Sequence, residues 1–373
     1  MTELQKELVA VMKEFGEKEL KPFAGYYDEI AEFPMDAYKK AVKMGLSRMT
    51  FPVEYGGAGI DHKTHAMMME ELAKYDASFV NGLSATVLAA LPVRLAGRTE
   101  QIEQMVTVIG NGGFAAFALT EANAGSDAAS IRTTAEKVDG GYILNGSKCF
   151  ITNGNIADIY VVFAKTEPEK GTRGISAFLV ERNREGVSVG KHENKMGLRA
   201  ASTSDVIFDH VFVPEESLIG QENRGFKLAM QTLNYSRIEC AAVATGIAQG
   251  ALEACITYAK ERNTFGKPIA SLQAIQFMLA DMEIQVQAAR ALTWQAADLA
   301  DRDMINPEIS SCAKTFASDM AMKVTTDAVQ IFGGYGYSKE FPVEKMMRDA
   351  KIYQIFEGTN QIQRVVISGN LLK

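Results

Sequence analysis

The stretch TTAEKVDGGYILNGSKCFIT, residues 133–152, decides the fold class because it interrupts a chain that is otherwise helical in pattern. Apolar and polar side chains alternate along it, and its Gly-Gly and Asn-Gly pairs are typical of tight turns between antiparallel strands. Three further stretches show the same β pattern: ADIYVVFAKT (157–166), ISAFLVER (175–182) and TSDVIFDHVFVP (203–214). We therefore predict a β-barrel or sandwich domain over residues 112–220.

The segment before this β block is helical in pattern. Leu4, Leu8, Val11 and Phe15 recur at steps of three and four residues, which is the spacing of one buried helix face. PVEYGGAGID, residues 52–61, concentrates proline and glycine and is predicted to be a loop between helices. These patterns predict an N-terminal helical domain over residues 1–111.

The helical period returns after residue 220 and predicts a C-terminal four-helix bundle over residues 221–373. Its long segments are expected to begin near Phe226, Leu272, Pro307 and Pro342. Helices, a β block and helices again make an α+β fold. This order excludes alternating βαβ units, so a Rossmann nucleotide site is not expected.

Composition limits the classes of function. The chain has 373 residues, 39 basic against 46 acidic side chains and a net charge of −7, with no dense Lys/Arg block to follow a nucleic acid. No stretch reaches the ~20 apolar residues of a membrane span. The opening MTELQKELVA lacks the pattern of a signal peptide, and we expect a cytoplasmic protein.

No metal site is expected from the cysteines and histidines. The four cysteines are scattered without a CxxC pair, which favours reduced core residues. His62 and His65 could share one helix face, but no carboxylate or cysteine joins them in sequence. We predict that this pair lies on the surface.

ALTEANAGSD, residues 118–127, offers hydroxyls, small residues and flexible backbone to a flat or phosphorylated ligand. Taken alone, the segment is better explained as an ordinary Gly/Ser/Asp turn. Four more motifs follow it: FITNG (150–154), ERNTFGKP (261–268), QIFGGYGY (330–337) and RDAKIYQIFEGTNQIQR (348–364). In this order and spacing the five motifs resemble the acyl-CoA dehydrogenase family, and most of all its short-chain or butyryl-CoA type from anaerobic bacteria. The resemblance covers essentially the whole chain.

The resemblance implies that Glu357 is the catalytic base, which takes the α proton of a thioester while FAD exchanges hydride with the β carbon. Burial against Phe356 is expected to raise the pKa of this carboxyl group. Some relatives carry the base on the helix of LNYSRIE, at the place of Tyr235 or Ser236, and neither residue is a carboxylate here. Glu239, one helical turn further along, stays a second candidate.

The resemblance also implies how FAD is held. Thr152 is expected to hydrogen-bond near the reactive flavin nitrogen, and Phe150 stands where relatives often have tryptophan. Arg262 is expected to reach the FAD of a neighbouring subunit, which implies a dimer at least, and the family suggests a homotetramer. The residues implied to contact FAD are Phe117, Leu119, Thr120, Ser126, Phe150, Ile151, Thr152, Arg262, Thr264, Phe265, Gln273, Gln330, Gly333, Gly334, Thr359 and Gln361.

Substrate contacts carry over to Ser126, Asn234, Arg237, Phe356 and Gly358. Asn234 departs from the aspartate of many relatives, and Phe356 departs from their tyrosine. An amide can still accept a hydrogen bond, whereas phenylalanine has lost a hydroxyl. These two departures leave the acyl group open.

The resemblance implies an enzyme that interconverts a short-chain acyl-CoA and its trans-2-enoyl-CoA, with an electron-transfer flavoprotein as redox partner. Three alternatives stay open. The same chemistry could run as an enoyl-CoA reduction of an aryl-acrylyl-CoA. Oxygen could react directly with reduced flavin, as in an oxidase or monooxygenase. The chain could also be a non-catalytic scaffold that binds acyl-CoA.

Overall fold

Six helices form the first part of the computed structural model, which describes residues 1–373. Capping residues mark the starts of two of these helices. Thr2 and Gln5 form a reciprocal capping box, and the Asp61 carboxylate accepts from the backbone N–H of Thr64 at 2.6 Å. The helices are α1 (Glu3–Phe15), α2 (Ala24–Ile30), α3 (Met35–Lys43), α4 (His62–Ala73), α5 (Ala77–Ala96) and α6 (Thr99–Gly110).

A seven-stranded sheet forms the middle part. Its order is β1-β4-β2-β3-β7-β6, with β5 paired to the other side of β4. Residues 141–152 and 203–214 pair antiparallel, and their register shifts twice, which bends and curls the sheet. The strands are β1 (Ala115–Ala118), β2 (Thr134–Val138), β3 (Gly141–Thr152), β4 (Ile159–Lys165), β5 (Ile175–Glu181), β6 (Val187–His192) and β7 (Thr203–Pro214).

Helices return for the last part of the chain, with one short hairpin between the first two. The hairpin strands are β8 (Asn263–Thr264) and β9 (Lys267–Pro268). The helices are α7 (Gly225–Glu261), α8 (Gln273–Ala300), α9 (Pro307–Phe332), α10 (Val343–Ala350) and α11 (Asn360–Leu371). The α+β class and the order of helical, β and helical parts are confirmed. The domain boundaries at 111/112 and 220/221 stay predictions.

Two glycines bring α4 against α7. A Cβ on Gly246 would lie 2.1 Å from the carbonyl oxygen of Glu70, and one on Gly250 would lie 2.7 Å from that of Lys74. Neither helix could approach so closely with a larger residue at these positions. The N-terminal and C-terminal helices therefore share one interface.

A buried lysine joins all three parts of the chain. Lys345 Nζ on α10 donates to Asp76 Oδ1 before α5 at 2.8 Å and to Asp349 Oδ2 at 2.6 Å. Asp349 Oδ1 in turn accepts from the backbone N–H of Leu198, in the loop after β6, at 2.6 Å. Buried charges persist only when paired in this way.

Two helices, Ala77–Ala96 and Gly225–Glu261, are long and apolar enough to cross a membrane by length and composition alone. In the fold, 61% and 72% of their apolar windows are buried inside the protein. They are core helices of this fold.

Candidate active site

Glu357 lies in a tight turn between α10 and α11. Its φ is +53°, and Gly358 follows with φ +90°. A left-handed conformation costs free energy in a residue with a Cβ, so the surrounding contacts must hold it. Gln363 Nε2 donates to the carbonyl oxygens of Glu357 and Gly358, at 3.2 and 2.9 Å. The turn directs the carboxylate toward α7.

The carboxylate of Glu357 is buried without a full set of partners. Ser236 and Cys240 on α7 lie beside it, but Oε2 is buried and accepts no hydrogen bond. Burial raises the pKa of Glu357, as predicted, against the smaller lowering effect of Ser236, Cys240 and the nearby cations. A carboxylate with a raised pKa and one free oxygen is suited to accept a proton.

Lys314, which sequence reasoning missed, holds the Glu357 turn in place. This buried lysine on α9 donates to the carbonyl oxygen of Gly358 at 2.8 Å and to Asn360 Oδ1 at 3.0 Å. Asn360 donates onward to Ser318 Oγ at 2.9 Å. Ser310, Lys314 and Ser318 follow one another at four-residue steps and are all buried. That polar stripe on an otherwise apolar helix face was the available signal.

Asn234 and Arg237 come together on α7, close to Glu357. Arg237 Nη1 donates to Asn234 Oδ1 at 2.8 Å, and Arg237 Nε is buried without a partner. Phe356 is half-buried, with its ring centroid 4.9 Å from that of Tyr353. Gly358 is in the Glu357 turn, whereas Ser126 is exposed in the loop after β1. Four of the five predicted substrate residues thus surround the base.

The predicted flavin residues of the sheet also meet. The backbone N–H of Cys149 donates to the carbonyl oxygen of Thr120 at 2.9 Å, which joins the segment after β1 to the end of β3. Phe150 has φ +55° and is 66% exposed, so an aromatic ring stands uncovered at this edge. Phe117 instead packs on Phe163 at 4.9 Å. Leu119 and Ile151 are buried and Thr152 is half-buried.

A buried ion pair, also missed by sequence reasoning, lies beneath this edge. Lys148 Nζ donates to Glu121 Oε1 at 2.7 Å and to the carbonyl oxygen of Leu119 at 3.1 Å. Glu121 also accepts from the hydroxyl of Thr133 at 2.6 Å. Burial lowers the pKa of Lys148 to about 8. The pair ties together the two segments that carry Thr120 and Phe150.

The predicted FAD residues of the ERNTFGKP and QIFGGYGY motifs lie at a second surface. The Arg262 guanidinium carbon is 5.3 Å from the ring centroid of Tyr335, so the ERNTFGKP and QIFGGYGY motifs meet. Phe265 and Tyr337 are each 90% exposed. Gly333 has φ +62°, and a Cβ on Gly334 would meet nothing within 4 Å. Of the other predicted FAD residues, Thr264 and Thr359 are half-buried. The exposed ones are Gln273, Gln330 and Gln361.

The predicted surface position of His65 is wrong. His65 is only 6% exposed, and His62 stacks on Tyr235 with ring centroids 4.8 Å apart. The close approach of α4 to α7 at Gly246 and Gly250 buries this helix face. Sequence spacing alone gives no sign of that approach.

A buried carboxylate in a turn, facing a helix that carries Asn234 and Arg237, is an arrangement that can accept a proton from a bound ligand. Family models for the N-terminal, middle and C-terminal domains of acyl-CoA dehydrogenase match residues 2–113, 116–211 and 223–372. The chain belongs to the acyl-CoA dehydrogenase family.

Individual relatives match the sequence of this chain along nearly their full length. An acyl-CoA dehydrogenase of Bacillus subtilis is 47% identical over 374 residues, which is 100% of this chain and 99% of the relative. A short-chain specific acyl-CoA dehydrogenase of Clostridium acetobutylicum is 44% identical over 99% of this chain and 98% of its own. Butyryl-CoA dehydrogenase from Megasphaera elsdenii has a TM-score of 0.98 at 44% identity, over 100% of this chain and 99% of that one.

A further solved structure concerns electron transfer. It is described as an electron transferring flavoprotein of Acidaminococcus fermentans, in work on flavin-based electron bifurcation. One of its chains matches with a TM-score of 0.98 and 46% identity, over 100% of this chain and 99% of that chain.

Proposed function

We propose that this chain is an FAD-dependent dehydrogenase that interconverts a short-chain acyl-CoA and its trans-2-enoyl-CoA. An electron-transfer flavoprotein is its redox partner, and the cytoplasm is its location. The observation that carries the proposal is the free, buried Oε2 of Glu357. The short-chain specific relatives and the structure described as an electron transferring flavoprotein support the acyl length and the partner.

Glu357 acts as the base. An α proton of a thioester is weakly acidic, so its removal needs a carboxylate that is poorly solvated and already in position. Oε2 of Glu357 takes that proton as the α C–H bond breaks. FAD, when bound, supplies the acceptor for the hydride that leaves the β carbon. Asn234 and Arg237 position the thioester arm, together with Ser126, Phe356 and Gly358.

The residues present fit FAD. The uncovered ring of Phe150 offers an aromatic face to the isoalloxazine, next to Thr120 and Thr152, and Phe117, Leu119 and Ile151 support it. Ser126 lies in the adjoining loop. At the second surface, the Arg262 fork suits a diphosphate, and the backbone at Gly333 and Gly334 is open to close approach. Thr264, Phe265, Gln273 and Gln330 complete this set, and Thr359 and Gln361 reach the cofactor from the start of α11, after the base.

The two sets of FAD residues are best joined across a subunit interface. The aromatic rings of Phe265 and Tyr337 are each almost fully exposed, and a second copy would cover them. We therefore propose that FAD is shared between subunits in a homotetramer. Arg262 then contributes to the cofactor of the neighbouring copy.

The reverse reaction, reduction of an aryl-acrylyl-CoA, is the second candidate. Microscopic reversibility lets Glu357 return the proton to the α carbon. Phe356 favours this candidate, since its ring adds an apolar face to the acyl site without a hydroxyl. Reduction of an aryl-acrylyl-CoA at a higher kcat/KM than crotonyl-CoA would establish it.

The proposal is tested by adding butyryl-CoA to the purified protein without oxygen. We expect the visible flavin band to bleach. A yellow protein that does not bleach would contradict the short-chain assignment, and a colourless protein would favour a non-catalytic scaffold. Rapid peroxide formation during aerobic turnover would favour an oxidase.

The matched control is Glu357→Gln, which keeps the shape of the side chain but removes the base. Substrate binding should survive, while the rate of flavin reduction falls by roughly three or more orders of magnitude. Stopped-flow absorbance gives both quantities. An unchanged rate would move the base elsewhere, and Glu239→Gln would be measured next.

A further inference from the structure

A small cavity between α4, α5 and α7 adjoins the catalytic base. Ser236 forms part of its wall and also lies beside the carboxylate of Glu357. Much of the remaining lining is apolar and suits methylene groups, in particular Val87, Leu88 and Leu91. The cavity is therefore placed to continue the acyl site beyond the reacting carbons.

Polar side chains without full partners lie in this cavity. His65 Nε2 is buried and forms no hydrogen bond, although Glu239 Oε1 is only 3.8 Å away. The Ser84 hydroxyl donates to Glu239, whose side chain is 12% exposed. A buried polar atom without a partner costs free energy, so a ligand atom is expected to meet it.

These titratable side chains are uncharged at neutral pH. Burial raises the pKa of Glu239 to about 8, so its carboxyl group keeps its proton and can donate a hydrogen bond. Burial also lowers the pKa of His65 to about 3 and that of His62 to about 4. None of these three side chains can neutralise a cation in the cavity.

The cavity nevertheless contains a cation. Arg94 lines it, and its charge further lowers the pKa of both His62 and His65, which places the guanidinium beside them. Arg94 forms no ion pair, and its one hydrogen bond goes from Nη1 to the carbonyl oxygen of Thr50 at 2.7 Å. A guanidinium has five N–H donors, so most of them are free for a ligand.

We infer that this cavity binds the distal carboxylate of the acyl group, so that the preferred substrate is the mono-CoA thioester of a dicarboxylic acid. The inference rests on the proposed function, because it extends the same acyl site. The carboxylate would accept hydrogen bonds from N–H groups of Arg94 and from the protonated carboxyl group of Glu239. A methyl-ended chain would leave both unsatisfied.

Binding is measured by isothermal titration calorimetry on the purified Glu357→Gln protein, which binds thioesters without turning them over. Straight-chain acyl-CoAs and ω-carboxyacyl-CoAs are compared at equal carbon number, from about four to eight carbons. A charge-assisted hydrogen bond in a buried site corresponds to roughly ten- to hundred-fold in affinity. We expect the carboxylated ester to bind more tightly by this factor at one or two chain lengths.

A second variant tests the role of Arg94. In the Glu357→Gln background, Arg94→Gln should reduce the ratio of the two affinities to about one, and Arg94→Lys should restore part of it. Arg173→Gln, at an exposed arginine, is the matched control. If Arg94→Gln does not fold, the preference of the Glu357→Gln protein for carboxylated over methyl-ended esters still decides the inference.

Two outcomes would overturn the inference. One is that no carboxylated ester binds more tightly than its methyl-ended counterpart. The other is that ω-hydroxyacyl-CoAs gain as much as ω-carboxyacyl-CoAs, because the cation would then have no role. Failure of the proposed function would be detected separately, because that test measures whether acyl-CoA esters bleach the visible flavin band of the protein with Glu357 intact.

Discussion

At the scale of single residues, one buried carboxylate is kept basic because it has few partners. Oε2 of Glu357 accepts no hydrogen bond, and burial outweighs the nearby cations. More partners would stabilise the ionised form and weaken it as a base. The left-handed turn at residues 357 and 358 is the structural cost of placing it there.

The pH dependence of flavin reduction should report this environment. In the proposed reaction Glu357 must be ionised to take the proton, so the rate should rise with pH as the group passes through its raised pKa. We expect the acidic limb of kcat/KM for butyryl-CoA to lie above the ordinary value of 4.5. A profile that stays flat down to that value would show a fully solvated base or a different one.

Glu239 should make folding stability fall as pH rises. Its pKa is raised in the folded protein to about 8, so the folded state binds more protons than the unfolded state between the ordinary value of 4.5 and 8. The free energy of unfolding therefore decreases with rising pH across that window.

Replacing Glu239 by glutamine should remove this contribution. We expect the loss of stability from pH 5 to pH 8 to shrink by about 1 kcal/mol or more in Glu239→Gln, measured by urea unfolding at both pH values. Glu185→Gln, at an exposed glutamate, should leave that loss unaltered. The same pH slope in both variants would mean that Glu239 is ionised in the folded protein.

At the scale of elements, α9 supports the catalytic turn through one buried lysine. Lys314→Met would remove the charged donor to the carbonyl oxygen of Gly358 and to Asn360 Oδ1, which keep only Gln363 Nε2 and Ser318 Oγ as donors. Each lost hydrogen bond to a charged group costs about 1.5–3 kcal/mol. We expect kcat to fall roughly ten- to hundred-fold through misplacement of Glu357, with a smaller change in KM.

Lys323→Met is the control for that experiment because it removes an exposed lysine of the same helix, paired only with Asp327. Steady-state kinetics and the thermal midpoint should be measured for both variants. Equal kinetic effects would mean that Lys314 acts through the helix as a whole. A lower midpoint with unaltered kcat would make it a purely structural residue.

Much of the element pattern could be predicted from sequence. Four of the five C-terminal helices start at Gly225, Gln273, Pro307 and Val343, next to the predicted positions, because proline or glycine marks several of their ends. The start of the fifth, α11, was not predicted, since the Glu357 turn divides the segment that was expected to run on from Pro342.

The IFEGT motif predicts Glu357 as the base, and that role stays a prediction. The residues that surround its carboxylate, among them Ser236, Cys240 and Lys314, lie far away in sequence, so the environment of the carboxylate could not be predicted.

The missed residues have a common physical reason. Lys148 and Lys314 are buried, and a lysine in a strand or helix pattern is normally counted as solvated. Their carboxylate or carbonyl partners lie far away in sequence. His65 was misplaced for a related reason, since its burial depends on two glycines of another helix, Gly246 and Gly250.

At the scale of the whole molecule, cofactor retention and assembly should depend on the same side chain. Arg262→Ala is expected to reduce FAD content and to shift the protein toward smaller species, because in the proposed shared site its guanidinium binds a neighbouring subunit's diphosphate. Absorbance at the flavin band and analytical ultracentrifugation measure the two effects. Normal FAD content with intact assembly would refute a shared site.

The junction at Lys345 also restricts which parts of the chain can be exchanged with relatives. Its lysine and one carboxylate, Asp349, come from the C-terminal helices, whereas Asp76 belongs to the N-terminal helices. The loop after β6 contributes the backbone N–H of Leu198, which any residue except proline provides, and Gly197, whose Cβ would lie 2.3 Å from the carbonyl oxygen of Arg348. A chimaera should therefore tolerate a grafted middle part that keeps this glycine, while the two helical parts must come from the same parent.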